Sequence, residues 1–387
     1  MTAETGIRFI DTQEQLKRFC EQLGKVDWIA LDTEFLREKT YYPKLCLLQV
    51  ATPGCVACID PLALEDLSPV LDILFDAAVT KVLHSGRQDL EIFYHLTGKV
   101  PSPVFDSQIA ALLLGYPEQV GYASLVKDEL GIELDKLHTR ADWSLRPLSR
   151  EQIQYAADDV VYLAEIYQRL CEKLQVLGRS DWLLEDFQRL TSREFYENPP
   201  EDAWRKVKGG NRLRGDSLAI MQSLASWREQ LAQQKDRPKG WILRDDALVD
   251  ISRHKPASLL ALGKIRGLSE GLLRNSGNQI VELVREATGK TPIPFPDKGK
   301  HTKLSPDQNA LLDVMMALVR LSAEQNSLNP AVLATRKQLE MLLLGDTDSA
   351  VMQGWRKQLV GRQLLEFLNG DLKLCIRDGR LTIDESS

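Results

Sequence analysis

Strand-like and helix-like segments alternate along the N-terminal part of this chain of 387 residues. Apolar runs such as "WIALDTEF", "KLCLLQVA" and "CVACID" are separated by turn signals such as "TPG" and predict strands. Segments such as "TQEQLKRFCEQLG" and "GRQDLEIFYHLTG" have helical periodicity and lie between further strands. A sheet that begins with a hairpin and continues through alternating helices indicates an α/β layer arrangement.

Two segments rich in proline, glycine and charge, near residues 196–213 and 288–306, interrupt this pattern and predict linkers. After the first linker, stretches such as "LAIMQSLASWREQLAQQ" and "NALLDVMMALVRLSAEQN" have the helical period. We therefore expect an α/β domain over residues 1–200, followed by all-α helical bundles over 208–289 and 302–383. The loose similarity of the two helical blocks suggests a diverged repeat.

The composition, 43% hydrophobic and 27% charged, is typical of a globular protein, and no run approaches the roughly 18 apolar residues of a membrane span. The N-terminus lacks the basic and apolar regions of a signal peptide, so we expect a cytoplasmic protein with no membrane partner. Scattered cysteines favour reduced thiols, and "CVAC" at 55–58 indicates two packed thiols more than a redox pair or a zinc site. Nothing in the sequence demands an oligomer, so we expect a monomer.

The net charge of −6 conceals an asymmetry between the two halves of the chain. Residues 1–200 hold 20 Lys and Arg against 32 Asp and Glu, whereas residues 201–387 hold 29 against 23. An acidic part followed by a basic part can combine a metal-binding centre with a module that binds a polyanion. In the basic part, "WRKVKGGNRLRGD" and "QQKDRPKGWILR" place Trp204 and Trp241 among cations, a combination suited to phosphate contact and base stacking. Ordinary surface charge is the alternative.

Several acids are candidates for a metal site. In the predicted strand "WIALDTEF", the period of two puts Asp32 and Glu34 on one face, where burial requires a cation, a proton or several hydrogen bonds. Asp89 lies in the first turn of a predicted helix, where the helix dipole alone also favours an acid. His84, at a strand end, is more often a packed histidine than a ligand, and Asp106 is typical of a helix N-cap.

The stretch "QYAADDVVYL" contains two adjacent aspartates in a predicted helix. At about 100° per residue, Asp159 lies within the apolar stripe and Asp158 on the polar face. Tyr155, one turn before Asp159, also faces inward. Two Mg²⁺ or Mn²⁺ ions held by the four candidate carboxylates would neutralise them and favour phosphoryl displacement. The Tyr155 hydroxyl would then orient the attacking water, because a phenol is a poor base at neutral pH.

The segments "ALDTEF", "HSGRQDLEIF" and "YAADDVVYL" resemble, in order, the three exonuclease motifs of the DEDD superfamily. The third has the Y-x3-D form of the DEDDy branch, because the alternative H-x4-D form would need histidine in place of Gln154. The segments "YYPKLCLLQVA" and "HTRADWSLRPLSREQIQYAADDVVYL" are similar to the bacterial ribonuclease D family. The resemblance is strong over residues 27–163 and mainly architectural beyond residue 210.

This resemblance implies a ribonuclease H-like mixed sheet flanked by helices, the 3′–5′ exonuclease fold, followed by two HRDC domains. It implies that Asp32, Glu34, Asp89 and Asp159 are the metal ligands and that Tyr155 orients the nucleophilic water. The implied reaction is two-metal-ion release of nucleoside 5′-monophosphates from RNA 3′ ends, with tRNA precursors and other small structured RNAs as substrates. A DNA 3′–5′ exonuclease of the same superfamily and a non-catalytic RNA-binding module are the alternatives.

Overall fold

The structure is a computed structural model that describes residues 6–24, 26–134, 141–295 and 304–384. Residues 138–140 of the motif "HTRADWSLRPLS" and residues 296–303 of the second predicted linker lie outside the described residues. The chain divides into two compact units. The first contains the described residues of Met1–Glu34, Leu45–Phe195 and Lys303–Ser387, and the second contains those of Phe35–Lys44 and Tyr196–Thr302.

A six-stranded mixed sheet forms the centre of the N-terminal block. Its strands are β1 (Arg8–Ile10), β2 (Trp28–Leu36), β3 (Lys44–Thr52), β4 (Cys55–Ile59), β5 (Thr80–Leu83) and β6 (Val104–Asp106). Their order in the sheet is β1-β4-β3-β2-β5-β6. The hairpin of β3 and β4 is antiparallel, whereas β1 pairs with β4, and β5 with β2 and β6, in parallel. The predicted α/β fold with a mixed sheet is confirmed.

Helices follow the strands and cover the sheet. They are α1 (Gln13–Leu23), α2 (Ser68–Phe75), α3 (Arg87–Thr97), α4 (Ser107–Leu112), α5 (Tyr122–Leu130), α6 (Arg150–Val176) and α7 (Leu184–Thr191). Helix α6 begins at a capping box, in which the side chains of Ser149 and Gln152 each accept a backbone N–H bond from the other residue. Its buried residues recur every three or four positions from Ala156 to Leu174, and this face packs on β4 and β5.

The corner between β5 and α3 requires a glycine. A Cβ atom at Gly86 would lie 2.6 Å from Cβ of Leu83, so that a larger residue would push the helix away from the strand. The preceding residue, Ser85, has a φ of 57°. The carboxylate of Asp106 accepts hydrogen bonds from the backbone N–H groups of both Ser85 and Gly86, which offset the cost of this turn. The corner therefore sets where the first turn of α3 begins.

The second unit is helical. It contains α8 (Gly215–Gln234), α9 (Lys239–Ile242), α10 (Asp245–His254), α11 (Leu259–Leu262) and α12 (Glu270–Ala287), with 3-10 turns at Pro200–Lys206 and Gly210–Arg212. Its core includes Trp204, Met221 and Leu248, all fully buried. The segment Phe35–Lys44, which continues the chain after β2, packs here because the backbone N–H groups of Tyr41 and Tyr42 both donate to Asp236.

The C-terminal block belongs to the same compact unit as the sheet. It contains α13 (Pro306–Gln325), α14 (Pro330–Leu333), α15 (Arg336–Leu343), α16 (Gly354–Arg356) and α17 (Arg362–Asn369), then β7 (Lys373–Arg377) and β8 (Arg380–Asp384). The ring of Trp355 stacks on that of Trp182, with centroids 4.9 Å apart and planes 5° apart. The guanidinium of Arg179 donates to the carbonyl oxygen of Asn326.

The hairpin of β7 and β8 contradicts the prediction that residues 302–383 are entirely helical. Its two strands pair in antiparallel register around Asp378 and Gly379. These two residues have φ angles of 51° and 76°, the positive values that two-residue hairpin turns require. The helical periodicity of the rest of the block led to a helical prediction here, although the Asp378–Gly379 pair is typical of a hairpin turn.

Candidate active site

Three of the predicted site residues come together at the sheet. Asp32 and Glu34 project from the same face of β2, and Asp159 projects from α6. One carboxylate oxygen of each lies within 4.8 Å of the others. We call these three residues the carboxylate cluster. Asp32 and Asp159 are 127 positions apart in the chain, so the packing of α6 on the sheet creates the cluster.

Asp89 lies beside this cluster but outside the group of three. It is in the first turn of α3, and its side chain is buried. Its Oδ1 accepts a hydrogen bond from the hydroxyl of Thr33, the residue between Asp32 and Glu34 on β2. The negative charge of Asp89 is close enough to raise the pKa values of Asp32 and Glu34. Thr33 therefore links Asp89 to the strand that carries two of the acids.

The pKa values of all four acids lie above their ordinary range. Burial is the first cause in each residue, and it raises the pKa of Glu34 to about 8, that of Asp159 to about 7 and that of Asp89 to about 6. The pKa of Asp32 is raised well above its usual value by burial and then by its carboxylate neighbours.

Such a group of acids at neutral pH needs protons or a cation. The cluster consists of oxygen donors from rigid elements, which is the ligand type that hard divalent cations such as Mg²⁺ and Mn²⁺ prefer. The residues present therefore fit a divalent cation.

The two aspartates of "QYAADDVVYL" lie in different surroundings. Asp159 belongs to the carboxylate cluster, whereas Oδ1 of Asp158 accepts a hydrogen bond of 2.8 Å from Nε2 of Gln154 on the same helix. Asp158 is half-buried and not fully exposed. Tyr155, one turn before Asp159, is also half-buried, and the centroid of its ring lies 6.2 Å from that of Trp143.

Two residues next to the predicted site have structural roles. His84 contacts the hydroxyl of Ser107 and the carbonyl oxygen of Val120, and burial lowers its pKa, so it is the packed histidine that we expected. Asp106 caps α4 as predicted, because Oδ1 accepts the backbone N–H groups at the start of that helix. The same carboxylate also holds the corner before α3, which the sequence pattern did not indicate.

The basic part of the chain differs from its prediction at one tryptophan. Trp204 is fully buried, with its ring 4.6 Å from that of Phe295, so the prediction that it stacks on bases is wrong. Trp241 is 59% exposed and is available for stacking. The excess of Lys and Arg over Asp and Glu is also confined to the middle of the chain and does not extend over the whole C-terminal half. Residues 201–302 hold 19 Lys and Arg against 12 Asp and Glu, whereas residues 304–384 hold 9 against 10.

All six cysteines lie within the described part of the chain, and all six are free thiols. Cys58 is buried, with its thiol 3.7 Å from the carbonyl oxygen of Ile153, and Cys55 is half-buried. They lie three positions apart on β4, so their side chains point to opposite faces of the sheet. This agrees with two separately packed thiols. Among the helices of the described residues, none combines the length and the apolar character needed to span a membrane.

Two known protein families match parts of this chain. A family described as 3′-5′ exonuclease matches residues 7–175, and the HRDC domain family matches residues 217–284. Ribonuclease D of Sphingobium indicum is 40% identical over 377 residues, which cover 96% of this chain and 97% of that protein. Ribonuclease D of Nitrobacter hamburgensis is 37% identical over 381 residues, which cover 98% and 99%.

A solved structure covers nearly the same length. Escherichia coli RNase D, an exoribonuclease involved in structured RNA processing, matches with a TM-score of 0.81 and 33% sequence identity. The match covers 94% of this chain and 99% of that chain.

Proposed function

Since this chain belongs to the ribonuclease D family, we propose that it removes nucleoside 5′-monophosphates one at a time from the 3′ end of RNA by metal-dependent hydrolysis. The observation that carries this proposal is the carboxylate cluster, in which oxygens of Asp32, Glu34 and Asp159 lie within 4.8 Å of one another. A half-buried group of like charges destabilises the fold but is a good receptor for divalent cations, and such cations serve phosphodiester hydrolysis.

We assign the metal ligands to the cluster together with Asp89. These four carboxylates supply enough oxygen atoms for two divalent cations, Mg²⁺ or Mn²⁺. When bound, the cations polarise the scissile phosphate and favour ionisation of a nearby water. The protein contributes rigidity to this site, because β2 fixes Asp32 and Glu34, while the hydroxyl of Thr33 holds Asp89 in place. The ligands are therefore in position before the substrate arrives.

We assign the orientation of the nucleophilic water to Tyr155. It lies one helical turn from Asp159, so that its ring and the ligand project from the same side of α6. A phenol hydroxyl can accept a hydrogen bond from water and donate one to a phosphate oxygen. In this role Tyr155 positions the water, and the metal site provides its activation.

The substrate class and the role of the helical blocks are further parts of the proposal. We propose tRNA precursors and other small structured RNAs as substrates, in line with the structured RNA processing of the Escherichia coli relative. The HRDC domain at residues 217–284, with its basic charge and exposed Trp241, would hold the RNA body, and residues 302–383 would form a second HRDC domain. The free thiols support a cytoplasmic location. A monomer is proposed as the simplest state.

Matched oligonucleotides test the reaction. RNA and DNA of one sequence, labelled at either the 3′ or the 5′ end, are incubated with the protein and Mg²⁺. We expect immediate release of a labelled 5′-mononucleotide from 3′-labelled RNA and stepwise shortening of 5′-labelled RNA. EDTA should stop both, and Mg²⁺ or Mn²⁺ should restore them.

Each alternative gives a different pattern. Equal or faster digestion of the DNA would favour the DNA exonuclease. Binding of RNA without cleavage would favour the non-catalytic module, and hydrolysis that resists EDTA would exclude the metal mechanism.

A further inference from the structure

The loop before α6 contains an arginine whose guanidinium makes five hydrogen bonds. Arg146 donates from Nε and Nη2 to the two carboxylate oxygens of Asp60, at 2.6 and 2.7 Å. Nη2 also donates to the carbonyl oxygen of Cys46, and Nη1 donates to those of Trp143 and Leu145, at 2.7 to 2.8 Å. The planar guanidinium can bind a carboxylate with two arms and three backbone carbonyls at once, which lysine could not match.

The partners of Arg146 are themselves fixed to the sheet. Asp60 is only 2% exposed and directly follows β4. Its backbone N–H donates to the carbonyl oxygen of Ile10, and its Oδ1 also accepts the N–H of Leu62. Cys46 lies within β3. Arg146 therefore connects its loop to β3 and to the end of β4, two neighbouring strands of the sheet.

This loop places the ring of Trp143 beside Tyr155, and we call this ring the aromatic wall. Trp143 is 3% exposed, and its ring lies 6.2 Å from that of Tyr155 between the centroids, with planes 30° apart. Ring pairs at such distances attract each other and restrict each other's rotation. Because Arg146 holds the carbonyl of Trp143 directly, it fixes the backbone from which this wall projects.

We infer that Arg146 is a positioning residue of the reaction, which acts by holding Trp143 against the ring of Tyr155. The inference rests on the proposed role of Tyr155 in orienting water. A displacement of about 1 Å in a catalytic group can lower turnover by about 10²-fold, so a half-buried phenol needs such a wall on one side. The acids of the metal site project from other positions, and their affinity for cations does not depend on this wall.

The test combines substitutions at the wall with removal of the hydroxyl. Trp143→Leu, Trp143→Phe and Arg146→Lys are made both in the natural sequence and together with Tyr155→Phe. We expect Tyr155→Phe to lower kcat by about 10²-fold and Trp143→Leu by about 10-fold, with little change in KM. Trp143→Phe, which keeps a ring, should lose less. With Tyr155→Phe present, neither Trp143→Leu nor Arg146→Lys should lower kcat further.

Three readouts separate the outcomes. Losses that multiply when Trp143→Leu is combined with Tyr155→Phe would overturn the positioning role but leave the proposed function intact. If Tyr155→Phe leaves kcat unchanged, the assigned role of Tyr155 and this inference both fail. Calorimetric titration with Mn²⁺ should give the same affinity for Trp143→Leu as for the natural protein, and a large loss would indicate general disruption instead. Arg150→Gln, an exposed arginine at the start of α6, is the matched control and should not change kcat.

Discussion

Two carboxylate sites in the N-terminal block differ in how their negative charge is balanced: Asp60 is buried, whereas the carboxylate cluster is half-buried. Asp60 receives two arms of the Arg146 guanidinium, so its charge is balanced within the protein. The carboxylate cluster of Asp32, Glu34 and Asp159 contains like charges, among which Asp159 raises the pKa values of both Asp32 and Glu34. An acid paired with a guanidinium has a structural role, whereas acids that repel one another mark a place where a ligand supplies the opposite charge. The kind of neighbour, a guanidinium or another carboxylate, therefore distinguishes structural acids from functional acids without comparison with related proteins.

The largest effect should distinguish two adjacent residues. Asp159→Asn removes a member of the cluster and should lower turnover on RNA by at least about 10³-fold, because a single lost electrostatic group already costs about 10²- to 10³-fold. Asp158→Asn makes the same chemical change one position earlier, at a side chain that contacts Gln154, and should keep turnover within a few-fold of the natural protein. Rates on 3′-labelled RNA measure both. Similar losses in the two variants would contradict the assignment of Asp159 as the ligand.

The two sets of acids should respond to substitution with opposite changes in stability. Arg146→Gln leaves Asp60 buried without its cation and should lower the free energy of unfolding by about 3 kcal/mol. Asp159→Asn removes a repelling charge and should raise the free energy of unfolding in EDTA. Urea unfolding in EDTA at pH 8 measures both, with Arg150→Gln as a control expected to lie within about 0.5 kcal/mol of the natural protein. A loss of stability in Asp159→Asn under these conditions would argue against net repulsion in the cluster.

The cluster should also make stability depend on pH. The folded-state pKa values of Asp159 and Glu34, about 7 and about 8, lie above those of the unfolded chain, near 4. The folded protein therefore holds protons that the unfolded chain has released, and its free energy of unfolding in EDTA should fall as the pH rises from about 4 to about 8. Because cations replace these protons, Mg²⁺ should raise the unfolding temperature more at pH 8 than at pH 5.5. An equal rise at both values, measured by differential scanning fluorimetry, would contradict a metal site at the cluster.

A smaller effect is expected at the basic surface of the second unit. Lys208→Glu combined with Arg212→Glu changes two exposed cations. It should weaken RNA binding and reduce the slope of log K against log salt by about 0.7 for each RNA phosphate that the protein no longer neutralises. The control is Lys357→Glu with Arg362→Glu, two exposed cations in the C-terminal block, where the charge is nearly balanced. RNA binding is measured by fluorescence anisotropy with Asp159→Asn present in every variant, which prevents digestion of the RNA. Equal effects of the two pairs would contradict a special role of the second unit in RNA binding.

Point substitutions are preferable to truncation for this last comparison. The C-terminal block shares a compact unit with the sheet, and the rings of Trp182 and Trp355 stack within that unit. Removing everything after the first linker would therefore expose part of the N-terminal block. The sequence predicted the helical blocks, but part of the first predicted linker, including Trp204 and Leu213, lies in the core of the second unit. The packing of the third block was also not predicted, because it joins residues far apart in the chain.

Local periodicity was enough to place three of the four acids on the correct faces of their elements. A period of two on β2 paired Asp32 with Glu34, and a period of 3.6 on α6 separated Asp159 from Asp158, because strand and helix geometry depend only on near neighbours. The burial of Trp204 could not be read in this way. Its neighbours in sequence are cations, but its ring packs on Phe295 within the helical core.

The sequence alone determined the types of the elements in the N-terminal block, the order of the motifs and the faces of β2 and α6 that carry their acids, since these follow from backbone geometry over a few residues. Tertiary structure decided which distant groups meet. Thr33 contacts Asp89 across 56 positions, and Arg146 contacts Asp60 across 86, because a helix and a loop that lie far from these strands in the chain pack against the sheet. Whether an acid is paired with a cation or lies among other acids depends on those long-range interactions, and this pairing distinguishes the ion pair at Asp60 from the site at Asp32.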